Sequence, residues 1–116
     1  MEKETIRKTG AVVDIVGVAA PALVFTLSTG RTAILKKVMA YHARVADITL
    51  QLGTGATLAT FVPRLVTMRL VTGFPFTLDE LECPEWEFET DIYALPSAAA
   101  AIPNDVLVQV VVEERG

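Results

Sequence analysis

An all-β fold of antiparallel strands is what this 116-residue sequence predicts. Apolar residues recur with a period of two, β-branched residues are plentiful, and turn-forming residues fall between the apolar runs. A helical period is nowhere sustained. Only Ser97–Ile102, with four consecutive alanines, offers a helical turn, and it is too short to stand alone.

The elements follow in order. A first strand is expected over Ala11–Val18. In the next, Leu23, Phe25 and Leu27 alternate with Val24, Thr26 and Ser28. The strand Thr32–Ala43 carries Ile34, Val38 and Ala40 on one side and Leu35, Lys37, Met39 and Tyr41 on the other, so part of its outer face is expected to be covered. Ile48, Leu50 and Leu52 alternate with Asp47, Thr49 and Gln51, the pattern of a strand with one buried face. Leu65–Thr72 reads as another strand. Trp86 and Phe88 alternate with Glu85, Glu87 and Glu89, and Val106, Val108, Val110 and Val112 alternate with Leu107, Gln109, Val111 and Glu113. Thr29-Gly30, Gly53-Thr54-Gly55, Thr72-Gly73-Phe74-Pro75 and Pro103-Asn104-Asp105 supply the turns. Seven or eight such strands indicate an antiparallel sandwich or a small barrel.

Composition bounds the function. Hydrophobic residues make up 52% of the chain and charged residues 21%, which fits one globular domain. So much apolar content in so small a domain suggests that a second subunit covers some of it. The two longest charge-free stretches, Ile15–Gly30 and Ile48–Pro63, are interrupted by Gly and Pro, so no membrane span is expected. The N-terminus mixes both charge signs and lacks an apolar signal region, which fits synthesis in a cytoplasm. The formal net charge is −4, yet residues 1–69 sum to +5 and residues 70–116 to −9. Either basic and acidic strands lie side by side in one sheet, or the subunit has a basic and an acidic face that orient docking. Direct nucleic-acid binding is not expected, because the basic residues are scattered with few aromatics among them.

No residue constellation announces a reaction. With one His and one Cys, no Cys/His zinc cluster and no internal disulfide can form. His42 lacks a nucleophile motif to serve and reads as a boundary histidine with one hydrogen bond. Cys83 stands between Glu82 and Pro84, where acidic surroundings disfavour a thiolate. Asp79, Glu80 and Glu82 offer oxygen ligands without the spacing of a calcium loop, so no metal or cofactor is expected. Trp86, in phase with Phe88, reads as a core residue before a sugar-stacking platform. Gly53-Thr54-Gly55 is not a phosphate loop, since it lacks the GK[ST] ending and joins strand to strand.

The run Gly30-Arg31-Thr32-Ala33-Ile34-Leu35-Lys36-Lys37-Val38-Met39-Ala40-Tyr41-His42-Ala43, followed by Val45-Ala46-Asp47-Ile48-Thr49-Leu50-Gln51-Leu52-Gly53, resembles a pattern in small β-sandwich proteins of tailed phages, the head decoration proteins and related auxiliary virion subunits. The resemblance covers residues 28–53 and, more loosely, Val106–Glu114; residues 73–84 and 95–105 match nothing. It implies a structural role on a particle, often as a trimer seated between capsomers, and brings no catalytic residues with it.

The expected fold is therefore an antiparallel β-sandwich of jelly-roll type, with a single domain over 10–116 and an N-terminal arm over 1–9. The expected function is that of a non-enzymatic capsid decoration subunit of a bacteriophage virion, bridging neighbouring capsid proteins. Its partners would be its own copies, as a trimer, and the major capsid protein. The expected interface residues are Ile6 on the arm, Leu35, Met39 and Tyr41 on the two-sided strand, and Glu85, Glu87 and Glu89 on an acidic belt. The rival readings are a glycan- or cell-surface-binding module and, behind it, a small sandwich enzyme.

Overall fold

The computed structural model describes residues 5–15, 21–42, 48–64, 67–71, 73–78, 86–97 and 106–115. The strands are β1 (Thr5–Thr9), β2 (Val13–Asp14), β3 (Ala22–Phe25), β4 (Thr32–His42), β5 (Ile48–Thr54), β6 (Val62–Pro63), β7 (Met68–Leu70), β8 (Phe76–Leu78), β9 (Glu87–Phe88), β10 (Ile92–Pro96) and β11 (Val106–Arg115). One sheet runs β1-β11-β4-β8, with β2 also on β11 and β9 also on β4. The other runs β3-β10-β5-β6, with β7 also on β5. Every pairing is antiparallel.

If β1 with β2, β6 with β7 and β8 with β9 are each read as one interrupted strand position, the chain crosses between the sheets at nearly every connection. The first and last strands then lie side by side, as do the second and second-to-last. This is the double Greek key of a jelly roll, the expected type of sandwich, where strand alternation alone had left a small barrel open.

β11 holds the centre of the larger sheet because it can bond on both edges and carries a run of valines. Val106, Val108, Val110 and Val112 point into the sandwich. They meet Leu50, Leu52, Met68, Leu70, Ile92 and Ala94 from the other sheet. This apolar core is the main stabilising term.

Two irregularities in the larger sheet decide which of its residues face the core, and a third, between Ile92 and Tyr93 of β10 opposite β3, leaves Leu23 exposed and buries Val24 together with Phe25. Val111 pairs with Lys37 but Val112 pairs with Leu35, so Lys36 has no opposite residue. One extra residue reverses the alternation. The inward face of β4 is therefore His42, Ala40 and Val38, then Leu35 and Ala33. Apolar residues on both nominal sides of this strand thus reflect a change of phase. Leu35, expected at a subunit interface, is fully buried in the core instead.

A second irregularity separates β1 from β2. Thr9 pairs with Val111 and Val13 with Val108, leaving three residues opposite two. Gly10 N–H donates to Val110 O at 2.8 Å, and the Gln109 side-chain amide donates to Gly10 O at 2.8 Å. Ile6 and Lys8 point inward before the break, and Val13 and Ile15 after it.

Residues 5–9, expected within a separate arm, are thus a strand of the domain's own sheet. Five residues of backbone pairing and an ion pair supply the order for which Ile6 alone is insufficient. Ile6 is half-buried on the core-facing side, opposite Glu114.

β10 has an alternation of Ile92, Ala94 and Pro96 inward against Tyr93 and Leu95. No strand is expected there from the sequence, yet it is the inner strand between β3 and β5. Of the expected helical turn over Ser97–Ile102, only Ser97 is described; it donates its backbone N–H to Thr49 O at 2.8 Å.

Candidate docking face

Strand alternation places Met39 and Tyr41 of β4, Leu107 and Gln109 of β11 and Thr77 of β8 on the outer side of the larger sheet, away from the core. The break between β1 and β2 turns Val12 to the same side, where it is 57% exposed. Together with Pro75 these residues line an open groove of about 260 Å³, and no charged side chain lines it. The one amide present, on Gln109, is engaged by Gly10 O.

Toward the other end the same face becomes charged. Lys37 lies opposite Val111, Arg7 opposite Glu113, and Arg115 Nη2 stands 3.0 Å from Glu113 Oε1. The face is therefore apolar over one half and charge-rimmed over the other.

Met39 and Tyr41, both expected at an interface, lie in this groove. The acidic belt is only partly described. Glu85 lies outside the described residues, as do Asp79, Glu80, Glu82 and Cys83. Glu87 and Glu89 are exposed, but β9 ends at Phe88 and the chain bends at Glu89–Thr90, so the two are not consecutive rungs of one ladder. Arg64 Nη2 donates to Glu87 O at 3.2 Å. Trp86 is half-buried against the core, and its carbonyl accepts from Leu35 N–H at 2.9 Å.

Among the described residues two polar side chains are fully buried, and both join structural elements. His42, the last residue of β4, contacts Leu70 O through Nε2 at 2.6 Å, linking the two sheets. Leu70 O can only accept, so Nε2 donates there, and Nδ1 has no partner among the described residues. A boundary position was expected for this histidine; the inward face of β4 buries it.

Glu114 sits where β1, β11 and the turn after β3 meet. Lys8 Nζ lies 2.9 Å from its Oε1 and also donates to Ser28 Oγ at 3.0 Å, while Ser28 N–H donates to Oε2 at 3.1 Å. Burial pushes this carboxyl's pKa up, but the Lys8 and Ser28 contacts outweigh burial and hold it below the usual carboxylate range. Basic β1 and the acidic end of β11 thus pair side by side in one sheet, while Glu87 and Glu89 of the acidic belt stay exposed. No group of three or more His, Cys, Asp and Glu side chains suited to a metal ion occurs among the described residues.

Val12, Leu107 and Thr77 were not singled out from the sequence. For Leu107 the signal was present, since it alternates out of phase with the inward valines. For Val12 it was not, because the bulge that turns it outward depends on the register with β11.

No protein-family model matches this chain, and no curated protein matches it. Solved structures do. A chain from Bacillus endospore appendages, described as a family of disulfide-linked pili, is 15% identical with a TM-score of 0.52, over 98% of this chain and 89% of that one. A chain of the cyanophage Pam1 capsid asymmetric unit is 23% identical with a TM-score of 0.46, over 98% and 86%. A chain of the VP2 subviral particle of infectious bursal disease virus is 13% identical with a TM-score of 0.25, over 97% and 32%. With the appendage subunit this chain shares a fold, the antiparallel β-sandwich.

Proposed function

We propose that this chain is a non-enzymatic structural subunit of a virion, a decoration protein that seats on a phage head as a homo-oligomer and bridges neighbouring capsid proteins. The observation that carries this reading is the uncharged groove on the outer face of the larger sheet, bordered by a charged rim. Such a face buries apolar area at its centre and uses charge at its edge to set orientation. The resemblance of residues 28–53 to head decoration proteins points the same way, and a trimer is the arrangement it implies. Fold likeness to a subunit of pili is compatible with a building block and adds only an analogy. Trp86, on which a glycan-binding reading would rest, is packed against the core. Exposed Glu87 and Glu89, with Glu85, then act in steering.

The test is quantitative mass spectrometry of gradient-purified particles of the virus encoding this chain. The expected result is a copy number comparable with that of the major capsid protein, lost when Met39→Asp and Tyr41→Asp are introduced together. Absence of the wild-type chain from purified particles refutes the reading.

A further inference from the structure

The groove has a candidate occupant of matching chemistry beside it. Phe74 is 67% exposed, more than any other large hydrophobic residue among those described. Its position is held by local structure: Phe74 N–H donates to Val71 O at 3.1 Å and Gly73 N–H to His42 O at 3.0 Å. Gly73 turns the chain with a φ of 78°, a conformation that disfavours a side chain. The next residues, Pro75 and Phe76, already line the groove, whereas Phe74 does not. An exposed aromatic on a hydrogen-bonded turn thus stands next in the chain to two residues that line an uncharged groove, without lining it itself.

The groove's dimensions and lining narrow the choice of occupant. At about 260 Å³ it is below the usual range for a pocket that encloses a small organic ligand, and it is open to one side. It suits one or two apolar side chains. An aromatic in a pocket of this kind is the usual anchor of a protein interface. Because every copy carries both the aromatic and the groove, each copy of a closed ring can give the contact to one neighbour and receive it from another. Val12 and Val71, both exposed, extend the apolar area around them.

We propose that Phe74 of one copy inserts into the groove over Met39, Tyr41 and Leu107 of a second copy. This rests on the reading that the chain acts as a homo-oligomer and names the contact that makes it one. The groove is then spent on self-association, and bridging to capsid proteins falls to the charged rim.

The experiment uses the full chain in a Cys83→Ser background, so that the native thiol takes no part. Light-scattering mass is measured for this parent and for Phe74→Ser. Phe74→Cys and Leu107→Cys chains are then mixed in equal amounts and oxidised under mild conditions. The expected results are an oligomeric parent, a dissociation constant raised about tenfold or more in Phe74→Ser with an unchanged melting temperature, and a disulfide-linked heterodimer in the mixture. A parent that is monomeric at micromolar concentration overturns both this inference and the homo-oligomer reading. An oligomeric parent that Phe74→Ser leaves intact, with no heterodimer in the mixture, overturns this inference alone. Cross-linking confined within a Phe74→Cys, Leu107→Cys double variant means the aromatic closes over its own groove, which also overturns it.

Discussion

Replacing Lys8 by Met should destabilise the fold more than replacing Glu114 by Gln, although Lys8 is the more exposed partner. The Glu114 side chain is 0% exposed and that of Lys8 38%. Without the ammonium, a buried carboxylate keeps only the Ser28 contact. Removing one partner of a buried pair costs about 3–5 kcal/mol when the remaining charge is sealed from water. Here the Lys8 end reaches solvent, which screens the remaining charge and lowers the expectation to about 2–3 kcal/mol. In Glu114→Gln, by contrast, Lys8 swings into water and the amide oxygen keeps the bond from Ser28. One charge-assisted contact is lost, and because Lys8 rehydrates the cost falls at the low end of the usual range, about 1.5 kcal/mol. For a chain of this size these costs correspond to melting temperatures lower by about 10 °C and about 5 °C. The pH dependence has a definite sign. The folded carboxyl has a lowered pKa, so in the acidic window the unfolded state binds more protons. The stabilisation from Glu114 is complete above the usual carboxylate pKa of about 4.3 and is lost as pH falls through the folded value. The gap between wild type and Glu114→Gln should therefore hold at neutral pH and narrow in strong acid. Urea melts of the three proteins at pH 7 and pH 3 are the assay. Equal costs at pH 7, or a larger cost for Glu114→Gln, would refute the reasoning.

Two further outcomes follow from the packing. Leu35→Asp should abolish the cooperative thermal transition, because it buries an unpaired carboxylate in the core, while Met39→Asp should keep a near-normal transition because Met39 faces outward; circular dichroism melts distinguish them. Gly53→Ala should cost about 1–3 kcal/mol in a urea melt, since its Cβ would stand 2.1 Å from Val62 O and force β6 away from β5, with loss of the bond from Arg64 N–H to Leu52 O; a melt matching wild type would show that β6 moves freely.

The all-β class was legible because period-two alternation is a local property. Ile48, Leu50 and Leu52 face the core as their spacing demands, and so do the four alternating valines of β11. Half of the groove was legible too: Met39 and Tyr41 stand out as apolar residues on the side away from Val38 and Ala40. Alternation could not reveal where the count slips. A bulge is specified by the partner strand: Lys36 carries no local mark of the extra residue on β4, and Gly10 permits a break without fixing the three-against-two pairing that turns Val12 outward. This misassigned Leu35 and hid Val12. Segment 5–9 reads as an arm for the same reason. Its order comes from β11 and from Glu114, which lie about a hundred positions away in the chain.

The sequence by itself determined that the chain forms antiparallel strands with one buried face each, where most turns fall, and that basic and acidic segments must meet or divide the surface. Only the tertiary structure decided that Lys8 meets Glu114, that Glu114 is the buried carboxylate among the described residues, and that the apolar outer face is a groove with Phe74 beside it. Alternation and turn chemistry act between neighbours in the chain, whereas register, bulges and ion pairs act between strands whose partners are chosen by the packed sandwich as a whole.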